Sequence, residues 1–561
     1  MKAQPENRAV IPPACPEHRE FADIDRHFAR FIARFCDGES VALAAALLSR
    51  AVRAGHICLD LMADAEIRDL KLPPPDAWHE ELKKCRAAGG PDDATPLVLD
   101  GAGRLYLRRY FEYERSLAAA ILARCDGARV KPSDDAQQLA IETALALRFT
   151  VISGGPGTGK TTAVRKILTA LIAAPGGDRL RIALAAPTGK AAARLQESLR
   201  EDGGTLAARL IAPASTLHRL LGARAGGLRF HHDAGNPLPA DVIVVDEASM
   251  VPLTMMAKLF DALPPRTRVI LLGDHDQLAS VEPGAVLGDI AQAASVPGSP
   301  IAGSLVVLRK NFRFGGDSRI FQLSDAVRES DADRAIEILR AVAATPAPDL
   351  AAAPSPPANQ LAGRLREQIV RGFAAYLQAA DPAEAIREFQ KFRVLCAMRV
   401  GPFGVEHLNR VIAGILRDAG LTDGTERLYR GMPLLVTRND YQLRLFNGDI
   451  GIVWPDAGGG LGACFTGEDG ALRRVPPARL PEHEPAFAMT VHKSQGSEFD
   501  EVLLVLPDKP SPVLTRELVY TGLTRARKRV EVWFDETALR EAIGQKTRRE
   551  SGLRAALNGG R

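Results

Sequence analysis

Residues Gly154-Gly-Pro-Gly-Thr-Gly-Lys-Thr161 decide how the rest of the chain is read. They fit the pattern G-x-x-x-x-G-K-[ST], in which backbone N–H groups of a glycine-rich turn converge on phosphate oxygens. The helix N-terminus behind such a loop adds positive potential. Both flanks have the required character. Phe149, Thr150, Val151 and Ile152 predict a short buried strand before the loop, and Thr162 to Leu171 predict a helix after it. Gly155, Pro156, Gly157, Thr158 and Gly159 then form the phosphate cradle with Lys160, Thr161 and Thr162. Lys160 would reach the β/γ-phosphates and the Thr161 hydroxyl would complete a Mg²⁺ shell. The loop predicts a nucleoside triphosphate and leaves open what its energy drives.

Working outward, the segment from about 130 alternates apolar runs with helical patterns. Arg181 to Ala186, Val242 to Val245 and Arg268 to Leu272 read as further strands of a parallel sheet covered on both faces. The run Val242-Ile-Val-Val ends in Asp246-Glu247. At the C-terminal edge of a strand, Asp246 can hold Mg²⁺ and Glu247 can orient and deprotonate the attacking water. The next strand ends in Gly273-Asp-His-Asp-Gln277-Leu, where Gln277 either senses the γ-phosphate or caps a turn. Two later stretches carry arginines suited to a transferring phosphoryl group, Leu308-Arg-Lys-Asn-Phe-Arg313 and Leu518-Val-Tyr-Thr-Gly-Leu-Thr-Arg525. Taken alone, either arginine fits a surface or phosphate-backbone role equally well.

The remaining composition sets bounds. A length of 561 residues predicts several domains, and a formal net charge of +4 permits a polyanionic partner without requiring one. The seven cysteines are scattered and lack a C-x-x-C pair, which predicts free thiols in a reducing compartment. No apolar run approaches the ~20 residues of a spanning helix, and MKAQPENRAV has no apolar core of a signal peptide. A cytoplasmic protein with no membrane partner is expected.

Residues 1–125 are expected to form a mostly helical domain for packing or partner contact. Phe21, Ile24, Phe28, Phe31, Ile32 and Phe35 recur at helical spacing as a core stripe, and a hairpin turns at Asp100–Gly103. The Pro/Ala-rich stretch 341–360 is expected to be a flexible surface insert that makes no good strand. Residues from about 425 to 482 change to short β-type runs separated by glycine turns, a small β-rich insertion in a second α/β domain.

The ordered series GGPGTGKT, APTGKAAARLQES, STLHRLLG, VVDEAS, GDHDQL, KNFR, TVHKSQGSEFD and VYTGLTRA, spanning 137–530, resembles the motifs of superfamily-one DNA helicases. TVHKSQGSEFD is similar to the branch moving 5′ to 3′ on single strands. Within that branch, VALAAALLSRAVRAGHICLDL and PLVLDGAGRLYLRRYFEYER resemble the N-terminal domain of the RecD family, the alpha subunits of exodeoxyribonuclease V. The resemblance implies an α/β fold with two RecA-like P-loop NTPase motor domains, 126–305 and 306–545, a helical N-terminal domain and an SH3-like insertion. It implies ATP and Mg²⁺ as cofactors, single-stranded DNA and duplex DNA ends as substrates, and RecB-like and RecC-like subunits as partners in double-strand break repair and recombination. The nuclease site of such a complex would lie on another subunit. Stand-alone helicases of this type and a purely regulatory nucleotide-binding subunit are the alternatives.

Position by position, the resemblance assigns adenine reading to Gln137, with Gln138 beside it leaving the register open. It makes Gln277 the link between nucleotide and DNA, and Arg313 and Arg525 arginine fingers entering from the neighbouring domain. Thr188, Lys190, His218, Thr490 and His492 become the candidate DNA contacts.

Overall fold

The strand that feeds the glycine loop runs Phe149–Gly154, and every residue in it is buried. A strand buried on both faces needs parallel neighbours and two covering layers. It has them. A six-stranded parallel sheet places the strands in the order Leu305–Leu308, Phe149–Gly154, Arg268–Gly273, Val242–Val245, Ile182–Ala186 and Ser215–Thr216. Alternate residues divide between two cores: Val151, Ile243, Val245 and Leu271 enter one, Ile152, Val242, Val244 and Leu272 the other. This is the period-two pleat of a strand expressed as two hydrophobic layers. The structure, a computed structural model, describes residues 20–35, 39–62, 73–125, 133–199, 206–224, 229–315, 317–423, 427–440, 442–467 and 470–559.

A second parallel sheet has five strands in the order Leu350–Pro354, Ala526–Phe534, Phe499–Val505, Phe392–Cys396 and Ala488–Thr490. A five-stranded antiparallel sheet is inserted between Phe392–Cys396 and Ala488–Thr490. Its last strand, His483–Pro485, runs past the expected limit at 482. The six-stranded sheet also outruns the boundary expected at 305 for its domain, because Leu305–Leu308 pairs with Phe149–Gly154 as an edge strand.

Three expectations are corrected. The Pro/Ala-rich stretch does make a strand: Leu350–Pro354 pairs in parallel with Val530–Phe534, and residues 341–344 complete the helix Ala332–Ala344. An edge strand pairs along one side only, and the prolines at 346, 348 and 354 fall at or beyond its ends, where a missing N–H costs least. Second, the aromatic stripe is only partly core. Phe21 and Ile32 are buried, whereas Ile24, Phe31 and Phe35 are about half exposed, at 59%, 50% and 47%. The helix Asp23–Ala33 packs against Glu39–Arg53, and one neighbour covers one stripe. Third, Cys58, Cys125, Cys396 and Cys464 are free thiols, but Cys85 is disulfide-bonded. Pairing depends on proximity in space, which cysteine spacing does not reveal.

The N-terminal domain combines helices with a four-stranded sheet that contains the expected hairpin, Leu97–Leu99 against Arg104–Leu107. Its helix Arg108–Leu122 contributes Tyr110, Leu117 and Ile121 to the core of the first motor sheet. The C-terminal segment returns to the same place. Leu553 and Leu557 are fully buried there, and Ser551 and Gly552 both donate to the Glu114 carboxylate. No described helix is long and apolar enough to cross a membrane.

Candidate nucleotide site and nucleic-acid groove

The glycine loop ends at Gly159, and its helix runs Lys160–Ala173. Gly157 and Gly159 hold φ of +79° and +82°, which glycine alone adopts without strain. Both are also boxed in. A Cβ at Gly157 would stand 2.5 Å from that of Arg313, and one at Gly159 would stand 2.6 Å from the Gln137 amide nitrogen. Gln137 therefore faces the loop and accepts from Lys166 at 3.0 Å, while Gln138 donates to Glu142 along its own helix. Of the two glutamines, Gln137 is the one that stands against the loop.

Lys160 donates to the carbonyls of Gly154 and Gly155 at 2.6 and 3.0 Å. Thr161 and Thr162 follow on the first turn, half-buried. Asn311 closes the loop from the other side by donating to the Pro156 carbonyl at 3.1 Å, and the Phe312 N–H donates to the Gly157 carbonyl at 2.8 Å. A cavity of about 300 Å³ lies beside the loop, bordered by Gly154, Pro156, Asp274, Asn311, Arg328 and Tyr520.

Asp246 and Glu247 leave the end of Val242–Val245, as the sequence implied. Burial and the neighbouring Glu247 charge push the Asp246 carboxyl up to about 6. A buried carboxylate under that penalty is one that a divalent cation would relieve. Glu247 sits at φ +52°, in the left-handed region rarely used by residues with a side chain. Such strain persists where surrounding structure over-determines it, commonly at functional sites.

The two motor domains meet through the loop after Arg268–Gly273. Gln277 donates to Asp274 at 3.1 Å and accepts from the Arg525 guanidinium at 2.9 Å. The Leu278 N–H donates to the Thr521 hydroxyl at 3.0 Å, and its carbonyl accepts from Gln495 at 2.7 Å. The Tyr520 hydroxyl donates to Asp274 at 3.0 Å. Arg525 belongs to the second motor domain, as expected, and is buried. Arg313 instead lies on the linker that leaves the first sheet, and its guanidinium pairs with Glu498 of the second domain at 2.7 Å. Its Nη1 is buried and unpartnered among the described residues. An orphaned guanidinium nitrogen beside a phosphate loop is a donor suited to an incoming anion.

A larger groove of about 1120 Å³ runs over both domains and the insertion. Thr188, Lys190, His218 and His492 all line it. Lys190 also bridges to the insertion by donating to the Gly448 carbonyl at 2.9 Å, and desolvation pushes its ammonium down to about 8. Thr490 is not among the residues lining the groove; its hydroxyl accepts from the Lys493 N–H at 3.3 Å. Sequence reading missed Arg194, which donates to the Gly496 carbonyl of the second domain at 3.1 Å. Its spacing four residues after Lys190 places both on one helix face, a signal that was available.

Family models match three parts of the chain: the RecBCD enzyme subunit RecD N-terminal domain at 17–106, an AAA domain at 137–283 and a UvrD-like helicase C-terminal domain at 485–532. RecBCD enzyme subunit RecD of Mycobacterium tuberculosis is 44% identical over 550 residues, covering 92% of this chain and 91% of that one. The chain belongs to the RecD family. RecBCD enzyme subunit RecD of Haemophilus influenzae is 40% identical over 75% of this RecD-family chain and 72% of its own length. The ATP-dependent RecD2 DNA helicase of Deinococcus radiodurans is 33% identical, covering 80% of this chain and 58% of that protein. Among solved structures, Bacteroides Pif1 bound to single-stranded DNA aligns with a TM-score of 0.41 at 17% identity, over 73% of this chain and 94% of that one. This RecD-family chain is an ATP-dependent superfamily-one DNA helicase built on two RecA-like domains.

Proposed function

We propose that the chain moves 5′ to 3′ along single-stranded DNA, driven by Mg²⁺-ATP hydrolysis, as the motor subunit of a helicase–nuclease with RecB-like and RecC-like partners. Duplex ends are its entry points, double-strand break repair and recombination are its setting, and the cytoplasm is its compartment. The nuclease site lies on another subunit.

The contact that carries this reading is Gln277 to Arg525 at 2.9 Å, which ties the nucleotide side of one motor domain to the other. Lys160 now satisfies its ammonium on two backbone carbonyls, and phosphate oxygens would be stronger acceptors. Thr161 and Asp246 would hold the divalent cation, which when bound neutralises charge on the phosphate oxygens. Glu247 would take the proton of the attacking water, and Gln137 would read adenine. Arg525, together with the unpartnered Nη1 of Arg313, would meet charge developing on the transferred phosphoryl group. Closure around the nucleotide and opening after hydrolysis give a two-state element, and a strand held by both domains is stepped along. Thr188, Lys190, His218 and His492 would grip phosphates and bases with little sequence preference, Thr490 would support the turn that presents His492, and the insertion would be an SH3-like clamp.

The deciding experiment is unwinding by the purified chain on duplexes with a 5′ or a 3′ single-stranded tail, with ATP hydrolysis followed alongside. Unwinding from the 5′ tail supports the motor and its direction, and unwinding from the 3′ tail overturns the direction. Hydrolysis without unwinding until RecB-like and RecC-like subunits are added supports a motor that works only within the complex.

A further inference from the structure

The helix Arg108–Leu122 belongs to the N-terminal domain, yet Arg109, Tyr110 and Tyr113 line the same continuous groove as the motor-domain residues. Arg109 and Tyr113 are four residues apart and so share one face of the helix. From the facing helix Leu253–Asp261 the Lys258 ammonium lies 5.5 Å from the centre of the Tyr113 ring, and on the helix itself the Arg109 guanidinium lies 5.1 Å from that of Tyr110. Neither cation has a hydrogen-bond or ion-pair partner among the described residues. Surface cations of this protein are commonly paired, as Arg115 is with Glu112 nearby. The acids that line the groove are Glu282, which accepts from Thr254 at 3.3 Å and whose charge acts on His218, and Asp449, which accepts from the Phe446 N–H at 2.8 Å and whose charge acts on Lys190.

Unpaired cations stacked on tyrosine rings along a groove are the parts that hold a single strand: cations for the phosphates and a ring face for a base. We propose that the track for single-stranded DNA extends onto the N-terminal domain, where Arg109 and Tyr113, together with Lys258 of the facing first motor domain, form a further subsite for the strand. This rests on the helicase reading above and deepens it. The N-terminal domain then takes part in holding DNA in addition to any contact with partner subunits. Its shared core with the first motor sheet keeps the subsite fixed relative to Thr188 and Lys190 as the second domain moves.

The test uses the full chain and fluorescence anisotropy with oligo(dT) strands of increasing length across a salt series. Tyr113→Leu is expected to weaken binding of long strands about tenfold while leaving short strands that span only the motor motifs unaffected. Tyr113→Phe, which keeps the ring, restores wild-type affinity. The double variant Arg109→Ala/Lys258→Ala is expected to reduce the salt slope for long strands by about 0.7 for each cation removed. Circular dichroism melting of each variant checks that the chain is folded. Unchanged affinity and salt slope on long strands in folded variants, with Thr188→Ala still weakening binding, overturn the subsite and leave the helicase reading intact. A wild-type chain that binds no single strand overturns both.

Discussion

Arg313 Nη2 lies 2.7 Å from Glu498 Oε1, an ion pair that joins the linker beside the phosphate loop to the second motor domain. Arg313 and Arg194 together hold the Glu498 carboxyl below its usual range against the opposing effect of burial. The pair therefore keeps a charge in position next to the nucleotide site in a low-dielectric setting.

Glu498→Gln removes the charge that holds Arg313 and keeps the shape. The expected outcome is a fall in DNA-stimulated ATP turnover of about tenfold, with the protein still folded, since one charge-assisted hydrogen bond is weakened. Steady-state ATP hydrolysis with saturating single-stranded DNA checks this. Turnover equal to wild type shows that Arg313 needs no positioning by Glu498.

Lys160→Ala and Glu247→Gln are each expected to abolish DNA-stimulated ATP hydrolysis without unfolding the chain. One removes the cation at the glycine loop and the other the carboxylate proposed as base after Val242–Val245. Wild-type-like turnover in either, measured beside a melting curve, removes that residue from the mechanism.

If Arg525 acts as the proposed arginine finger, Arg525→Ala is expected to lower ATP turnover by about 10³ or more. Arg525 also spans Gln277, Thr521 and Ser497, so part of the loss reflects the domain contact. Gln277→Ala separates the two effects. It leaves Arg525 in place and is expected to lower the ratio of DNA-stimulated to unstimulated hydrolysis; an unchanged ratio removes Gln277 from the coupling path.

The C-terminal clasp makes stability depend on pH. Burial pushes both the Glu114 and Asp289 carboxyls up to about 7, and the Glu114 charge adds to the shift at Asp289. A raised folded pKa means that the native state binds more protons than the unfolded chain between the two values. Stability from these groups is thus full below 3.8 for Asp289 and 4.5 for Glu114, falls as pH rises towards about 7, and levels off above. The slope in that window is up to roughly 1.4 kcal/mol per pH unit for each group. Arg104, Arg554 and Ser551 face the pair and limit the effect, while Glu550 adds to it. Asp289→Asn is expected to flatten the pH dependence of Tm between pH 5 and 7; an unchanged profile rules out this pair as its source.

Leu553→Ala opens a cavity in the shared core of the N-terminal and first motor domains, because Leu553 is fully buried there. The expected cost is about 2–5 kcal/mol. Denaturant titration checks it, and a loss below about 1 kcal/mol would mean that the clasp packs loosely.

Much of this architecture was legible in the sequence because it is written in local patterns. Apolar runs of strand length gave four of the six strands of the first motor sheet to within two residues, with Val242–Val245 found at its observed limits, while the edge strands Ser215–Thr216 and Leu305–Leu308 went unread. Glycine spacing gave the phosphate loop, and the acids at a strand end gave Asp246 and Glu247. The Pro/Ala stretch misled because composition argues against a strand in general, whereas an edge position tolerates prolines at its ends. The Asp23–Ala33 stripe misled because periodicity shows which residues share a face and is silent on how many neighbours cover it.

By itself, then, the sequence determined the central strands of the first motor sheet, the nucleotide loop and the family, since each rests on residues close together in the chain. Only the tertiary structure decided which partners those residues meet. Arg313 and Glu498 are separated by 185 positions, Gln277 and Arg525 by 248, and Glu114 and Ser551 by 437. Packing of whole sheets brings such pairs together, and no local spacing encodes it. For the same reason the N-terminal segment read in sequence as packing or partner contact, and its helix Arg108–Leu122 stands in the groove wall once folded.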